Sequence, residues 1–292
     1  MAVSTGPIEV LSQEISDEEG MYRIRSGQQV YYLTISTDVF DEDTMCRPYL
    51  LLPQLPSLLD MPSKKIKLTR NENGSLTLTA YHDPLQEITF IWHEKRIDVL
   101  SLPLIKRFRS GVFETLYEGR AAVAKIACFE WQIPSLIRET WAYCVLTETQ
   151  RPSGGPLIAP EFLGHLTENG RVIGFLIEKL EGRVACLDDL TQCAALLKRL
   201  HGLGLVHGDV NRYNFIVEEC CRGCVVRLVD LEHAQDYDEK LAHAELESLP
   251  AELAEETGRG SSITRLIPDV DEADQDVNDT KYTGEAPVPA PV

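Results

Sequence analysis

His207-Gly208-Asp209-Val210-Asn211-Arg212-Tyr213-Asn214-Phe215-Ile216-Val217, followed by Val226-Arg227-Leu228-Val229-Asp230-Leu231-Glu232, is the stretch on which the reading of this 292-residue chain turns. Asp209 and Asn214 stand five positions apart on a loop flanked by apolar residues, and Asp230 ends the next apolar run. Oxygen-bearing side chains placed this way can meet at one point, and such a set suits a hard cation and the phosphates it carries. Upstream, Leu190, Ala194, Leu197, Leu200 and His201 recur at helical spacing between Leu187 and Gly204. Asp188 or Asp189 marks the start of this helix and Gly202 or Gly204 its end, so it delivers the chain into the loop at His207.

Working backward, Ile105 to Ala127 divides into three strands with turns at Ser110-Gly111 and Glu118-Gly119. The third strand carries Lys125 inside an apolar run, where an unpaired ammonium is costly to bury, so an anionic partner is expected. Nucleotide phosphates and Glu139 are the two available. Glu139 lies in a helical segment, Ser135 to Leu146, with Ser135 as the expected N-cap after Pro134 and an apolar stripe at 137, 141, 144 and 145. Next, Glu161 to Leu166 and Val172 to Ile177 form a hairpin over Glu168-Asn169-Gly170, and the second strand runs into Glu178-Lys179-Leu180-Glu181-Gly182.

Between Tyr22 and Leu102 the pattern is of short runs rich in β-branched and aromatic residues, at 30–35, 66–69, 76–81 and 88–92, with a hairpin signal at Asn73-Gly74. These read as strands of a β-rich extension over 21–102, in which Tyr81 and Trp92 are core residues. Residues 1–20 are polar and acidic and are expected to form a disordered leader. After Asp230 only one short helical pattern remains, around Glu239–Glu256; the segment 263–292 is acidic, then rich in Ala, Pro and Val, and is expected to be disordered. Its expected role is solvation, with a protein partner as the alternative.

Composition narrows the classes. With 43% hydrophobic residues the chain can bury a sizeable core. The formal charge is −18, and from Ala234 onward 15 Asp/Glu face 4 Lys/Arg, a balance of −11. Nucleic-acid binding is not expected, because phosphate contacts need a basic surface. The N-terminus has no basic or strongly apolar stretch and no run is long enough to span a bilayer, so a soluble protein of the cytoplasm, with the nucleus as the alternative, reduced thiols and no membrane partner is expected. Cys220-Cys221-Arg222-Gly223-Cys224 lacks a second ligand pair at zinc spacing and reads as a turn between two strands.

Taken together, Val123-Ala124-Lys125, Glu139, Glu178 to Gly182, His207-Gly208-Asp209 with Asn214, and Asp230 occur in the order and approximate spacing of the protein-kinase-like superfamily, which the chain resembles over about 105–235. His-Gly-Asp looks like the aminoglycoside phosphotransferase form, Tyr213 before Asn214 is similar to RIO-type atypical kinases, and Asp230-Leu231-Glu232 is similar to the Asp-Phe-Glu of choline kinases. The overall likeness is to kinase-like proteins of filamentous fungi. The resemblance implies an α+β, two-lobed protein-kinase-like fold: an N-lobe to hinge over 103–182, and a shortened C-lobe over 183–262 behind the β-rich extension. It implies an ATP- and Mg²⁺-dependent transfer of the terminal phosphate to a hydroxyl of a small molecule or protein. Asp209 would take the hydroxyl proton, Lys125 held by Glu139 would bind phosphate, Asn214 and Asp230 would hold magnesium, Gly111 would cover the phosphates, and Glu178 and Leu180 would border the adenine.

Departures from that pattern have consequences. One glycine, Gly111, stands where the phosphate loop usually has three, which limits close backbone approach. Gly208 replaces the Arg that reads an activation-loop phosphate, and Ala234 to Glu247 contains no Ser or Thr. Glu232 replaces a flexible glycine and offers a further carboxylate near the metal. Little chain is left for peptide-docking helices, which shifts weight toward small-molecule acceptors. The thin loop and short C-lobe also support an alternative, a catalytically weak pseudokinase that binds nucleotide or protein.

Overall fold

A computed structural model describes residues 8–58, 61–150, 156–220 and 223–259, a mixed α+β protein with several sheets and, among the described residues, five α-helices. The first sheet has the order β1-β2-β3-β4-β5, from Ile8–Ile15 (β1), Glu19–Ser26 (β2), Gln29–Ser36 (β3), Lys65–Arg70 (β4) and Leu76–Ala80 (β5). β4 runs parallel to β3; the other pairs are antiparallel. The crossover between β3 and β4 carries the short helices Glu42–Cys46 (α1) and Pro48–Leu51 (α2), which cover one sheet face. Tyr22, Ile24, Leu33, Ile35, Ile66 and Leu68 project from that face onto Met45 and Leu51. At the Asn73-Gly74 turn Gly74 adopts φ +79°, and Asn71 Oδ1 accepts the N–H groups of Asn73 and Ser75.

The leader expected over 1–20 is in fact a strand from residue 8, paired along β2. An edge strand needs only one apolar face, so its polar residues are compatible with pairing; residues 1–7 lie outside the described residues. The strand expected at 88–92 is irregular instead. Ile88 N–H bonds Val172 O at 2.9 Å, and the N–H groups of Trp92 and His93 both turn to His165 Nε2 at 3.3 Å. With their donors spent on a side chain, these residues cannot form a ladder. The regular strand comes later, Arg96–Asp98 (β6), parallel to Phe162–Glu168 (β10).

A six-stranded sheet, β6-β10-β11-β9-β8-β7, joins β6 and β10 to Lys106–Arg109 (β7), Val112–Tyr117 (β8), Arg120–Ile126 (β9) and Arg171–Glu178 (β11). β6 therefore carries the chain across the boundary expected at 102/103. The expected turns hold: Glu118 and Gly119 take φ +49° and +78°, and Asn169 and Gly170 take +50° and +84°. Two buried polar contacts fasten the first sheet to the second. Arg23 Nε donates to Glu168 Oε2 at 2.6 Å, and Ser12 Oγ donates to Cys128 Sγ at 3.1 Å.

The helix Ile133–Gln150 (α3) packs across this sheet and starts two residues before the expected cap; Ser135 Oγ donates back to Gln132 O. Its buried face is Leu136, Glu139, Thr140, Tyr143 and Leu146, whereas Ile137, Trp141 and Val145 of the expected stripe are only half-buried. The turn at 231–233 packs on α3 beside Glu139, whose Oε1 accepts the Leu231 N–H at 3.2 Å. The remainder comprises Arg183–Val184 (β12), Leu190–Gly202 (α4), Leu205–Val206 (β13), Phe215–Cys220 (β14), Gly223–Leu228 (β15), Gln235–Asp236 (β16) and Glu239–Leu253 (α5). β12, β14 and β15 form one small sheet, and β13 and β16 another. One core runs through both parts, linking Tyr143 and Phe175 to Leu197, Leu200, Phe215 and Leu249. Cys221, Arg222 and the expected disordered segment 263–292 lie outside the described residues. Among the described residues no helix is long and apolar enough to cross a membrane.

Candidate active site

The loop after β13 is held from three sides. His207 is fully buried and its Nε2 lies 3.0 Å from Val229 O. A carbonyl can only accept, so Nε2 carries the proton and Nδ1 is left to accept the Asp209 N–H at 3.3 Å. Burial lowers the His207 pKa, which keeps the ring neutral in these two roles. Gly208 donates its N–H to Glu245 Oε1 at 2.7 Å, while Glu245 Oε2 lies 2.8 Å from His201 Nε2. Gly208 has φ +79°, and a Cβ there would sit 2.2 Å from His233 O. Glycine is thus required by the close passage of the 231–233 turn.

Asp209 and Asn214 meet, as their spacing suggested. Asn214 Nδ2 donates to Asp209 O at 2.9 Å and to Asp209 Oδ2 at 3.1 Å. Asn211 Nδ2 adds a bond to the same Oδ2 at 3.1 Å, and Asn211 Oδ1 caps the 3₁₀ turn by accepting from Tyr213 N–H at 3.0 Å. Val229 then ties this loop to Asp230: its N–H donates to Asn214 O at 2.9 Å, and its carbonyl accepts from His207.

The second cluster assembles residues far apart in sequence. Lys125 Nζ lies 2.7 Å from Glu139 Oε1 and 2.6 Å from Asp230 Oδ1, all three largely buried. Asp230 holds φ +62°, an unusual conformation for a residue with a Cβ. The following N–H, that of Leu231, is thereby placed 3.2 Å from Glu139 Oε1. Arg109 Nη2 approaches Asp230 at 3.3 and 3.5 Å and Glu232 Oε1 at 3.7 Å.

Two carboxylates sharing one ammonium explain the electrostatics. Burial works to discharge Lys125, but the charges of Glu139 and Asp230 outweigh it and its pKa is raised. Burial also works to raise Asp230, and the charges of Lys125 and Arg109 overcome it, so this carboxyl stays below its usual range. Glu139 has no second cation, and burial pushes it up to about 7 despite Lys125. Its Oε2 has no hydrogen-bond partner among the described residues.

The remaining expected site residues are placed differently. Gly111 (φ +74°) accepts Ile126 N–H at 2.8 Å, and a Cβ on it would fall 2.4 Å from Ile126 O, so packing against β9 already requires glycine. Glu178 is engaged by Arg227 at 2.6 Å and by Glu161 N–H at 3.2 Å; Leu180 is half-buried in the strand-free segment that leads to β12. No side-chain bond joins either to the Lys125 cluster among the described residues. Glu245, Asn211 and Arg109 escaped the sequence reading. Glu245 had a signal, because it interrupts the apolar stripe Ala242, Leu249 and Leu253 of α5 with a charge.

Among the described residues no three His, Cys, Asp or Glu side chains converge on one metal position. A carboxylate and a carboxamide remain as donors. The Asp230 carboxyl is held in its low, ionised range, and Asn214 spends its amide nitrogen on Asp209, which leaves its side-chain oxygen free of that bond. A carboxylate and a carboxamide oxygen are donors of the type that magnesium would take, with water and phosphate for the rest. Neither a protein-family model nor a curated protein sequence matches the chain.

Proposed function

We propose that this chain is an ATP- and Mg²⁺-dependent phosphotransferase with a two-lobed, protein-kinase-like body. The six-stranded sheet and α3 serve as the nucleotide lobe, residues 178–182 as the hinge, and the β12–α5 region as a compact second lobe. One observation carries this reading: Lys125 Nζ sits between Glu139 and Asp230 at 2.7 and 2.6 Å. An ammonium fixed by two carboxylates beside a partly open loop is a phosphate-binding cation held in position.

Asp209 is the group for the acceptor. Its Oδ2 is oriented by two amide donors, and it takes the hydroxyl proton as the acceptor oxygen bonds to the terminal phosphorus and the bond to the bridging oxygen of ADP breaks. Lys125 holds phosphate oxygens, and Glu139 holds Lys125. Asn214 and Asp230 would hold magnesium, which when bound screens the phosphate charge. A nucleotide-binding module without turnover is the second reading, favoured by Arg109 lying against Asp230.

Thermal unfolding with and without Mg²⁺-ATP tests the proposal. Ligand at about 100 times its Kd should stabilise by about 2.7 kcal/mol. Lys125→Ala and Asp230→Asn should lose this shift, and Asp209→Asn should keep it while losing phosphate transfer. No metal-dependent nucleotide shift in the wild type rules the phosphotransferase out; a shift without turnover over a broad panel of hydroxyl acceptors leaves the binding module.

A further inference from the structure

Building on that reading, we propose that Arg109 is the phosphate-recognising side chain of the β7–β8 loop, and that before nucleotide arrives it occupies the Asp230 carboxylate in place of a divalent cation.

The position of Arg109 is specific. It is the last residue of β7, next to the Ser110-Gly111 turn, and the β7–β8 register slips between Arg107 and Arg109. A slip of this kind re-aims a side chain. Here the guanidinium reaches Asp230 and Glu232, far along the chain, while its side chain remains 36% exposed. The cluster then contains two cations, Lys125 and Arg109, against the carboxylates of Glu139, Asp230 and Glu232.

The two cations are not held equally. Lys125 is 8% exposed and lies 2.6 Å from Asp230. Arg109 approaches no closer than 3.3 Å, beyond the 2.7–2.9 Å of a strong charge-assisted bond. When a divalent cation needs the Asp230 oxygens, Arg109 is the partner that leaves. Its planar fork of donors matches phosphate oxygens, which an ammonium does not reproduce. The loop that carries it has the single Gly111, already committed to β9, so few backbone N–H groups can approach phosphate. A guanidinium at this position supplies the missing donors.

The test uses the full chain and two binding measurements. Mn²⁺ binding is followed by the free-ion paramagnetic resonance signal without nucleotide, and ATP binding by calorimetry with Mg²⁺ and with EDTA. Arg109→Ala should bind Mn²⁺ about fivefold more tightly than wild type, the value of one weak, partly exposed ion pair. The same variant should bind Mg²⁺-ATP about tenfold or more weakly, as expected for the loss of a charged hydrogen bond. Arg109→Lys keeps the charge without the fork, and should retain wild-type Mn²⁺ affinity yet lose part of the ATP affinity. Melting temperatures confirm that both variants are folded. If Arg109→Ala leaves both affinities unchanged while Lys125→Ala abolishes ATP binding, the Arg109 assignment is wrong and the phosphotransferase reading stands. If the wild type binds no ATP, both fall together.

Discussion

Replacing Gly208 by Ala tests whether the approach of the 231–233 turn shapes the loop that carries Asp209. Gly204, four residues earlier, supplies an internal control: it has φ +87° and nothing within 4 Å of an added Cβ. Gly204→Ala therefore incurs only the left-handed backbone penalty, about 1–2 kcal/mol. Gly208 has a similar φ of +79°, but the new methyl would lie 2.2 Å from His233 O and 2.9 Å from His233 C. Both are backbone atoms and cannot rotate away. Relieving the overlap adds about 1–3 kcal/mol to the backbone term, so Gly208→Ala should cost about 2–5 kcal/mol. Urea unfolding of the two variants measures the difference. Where Gly208→Ala stays folded, the shift should also pull Asp209 away from Asn214 and, on the proposed phosphotransferase reading, reduce phosphate transfer more than nucleotide affinity, while Gly204→Ala should alter neither. Equal destabilisation of the two variants would refute the argument, because the steric term is what separates them.

Glu139 and the buried Arg23 pair make two further predictions. The Glu139 carboxyl, raised from 4.5 to about 7, binds more protons in the folded state between those values, so its contribution to stability is greatest below pH 4.5 and is lost as pH rises through 7. At about 1.4 kcal/mol per unit this amounts to about 3 kcal/mol. Glu139→Gln should flatten the stability profile over that window by this amount; a variant profile parallel to wild type would show that Glu139 is not raised. Asp230, lowered from 3.8, acts with the opposite sign at more acidic pH, losing its contribution as pH falls. Arg23→Ala should cost about 1–3 kcal/mol: it removes the partner of Glu168 Oε2 in the interface between the two larger sheets, while Glu168 Oε1 keeps the Tyr32 hydroxyl at 2.6 Å and Arg171 at 3.1 Å. Glu168→Ala, which removes the shared partner of Arg23 and Arg171, should cost more, about 3–5 kcal/mol in chemical unfolding, and equal losses for the two variants would show that Arg171 contributes nothing to the cluster.

Local chemistry made several elements legible in the sequence. Turns at Asn73-Gly74, Glu118-Gly119 and Asn169-Gly170 follow from residues that tolerate positive φ, and α4 and α5 follow from apolar repeats with clear ends. The Asp209–Asn214 contact was also legible, since five residues of loop bring its ends together. Polar edge strands were not: β1 buries too little to show an apolar alternation. The stretch 88–92 erred the other way: its residues are strand-forming, but it ends at Trp92, whose backbone donor, like that of His93, is taken by His165, a partner more than 70 residues away.

By itself the sequence determined the acid, amide and lysine groups of the candidate site, because each is a chemical type set in a recognisable local pattern. Only the tertiary structure decided how those groups are charged and what they touch. Lys125 meets Asp230 across 105 positions, and Glu139 becomes the weaker acid because its burial outweighs Lys125, whereas Lys125 and Arg109 together hold Asp230 down. Arg109 and Glu245 enter the site through contacts no local pattern announces. Ionisation and ion pairing depend on burial and on distance through space, and those quantities exist only once the chain has folded.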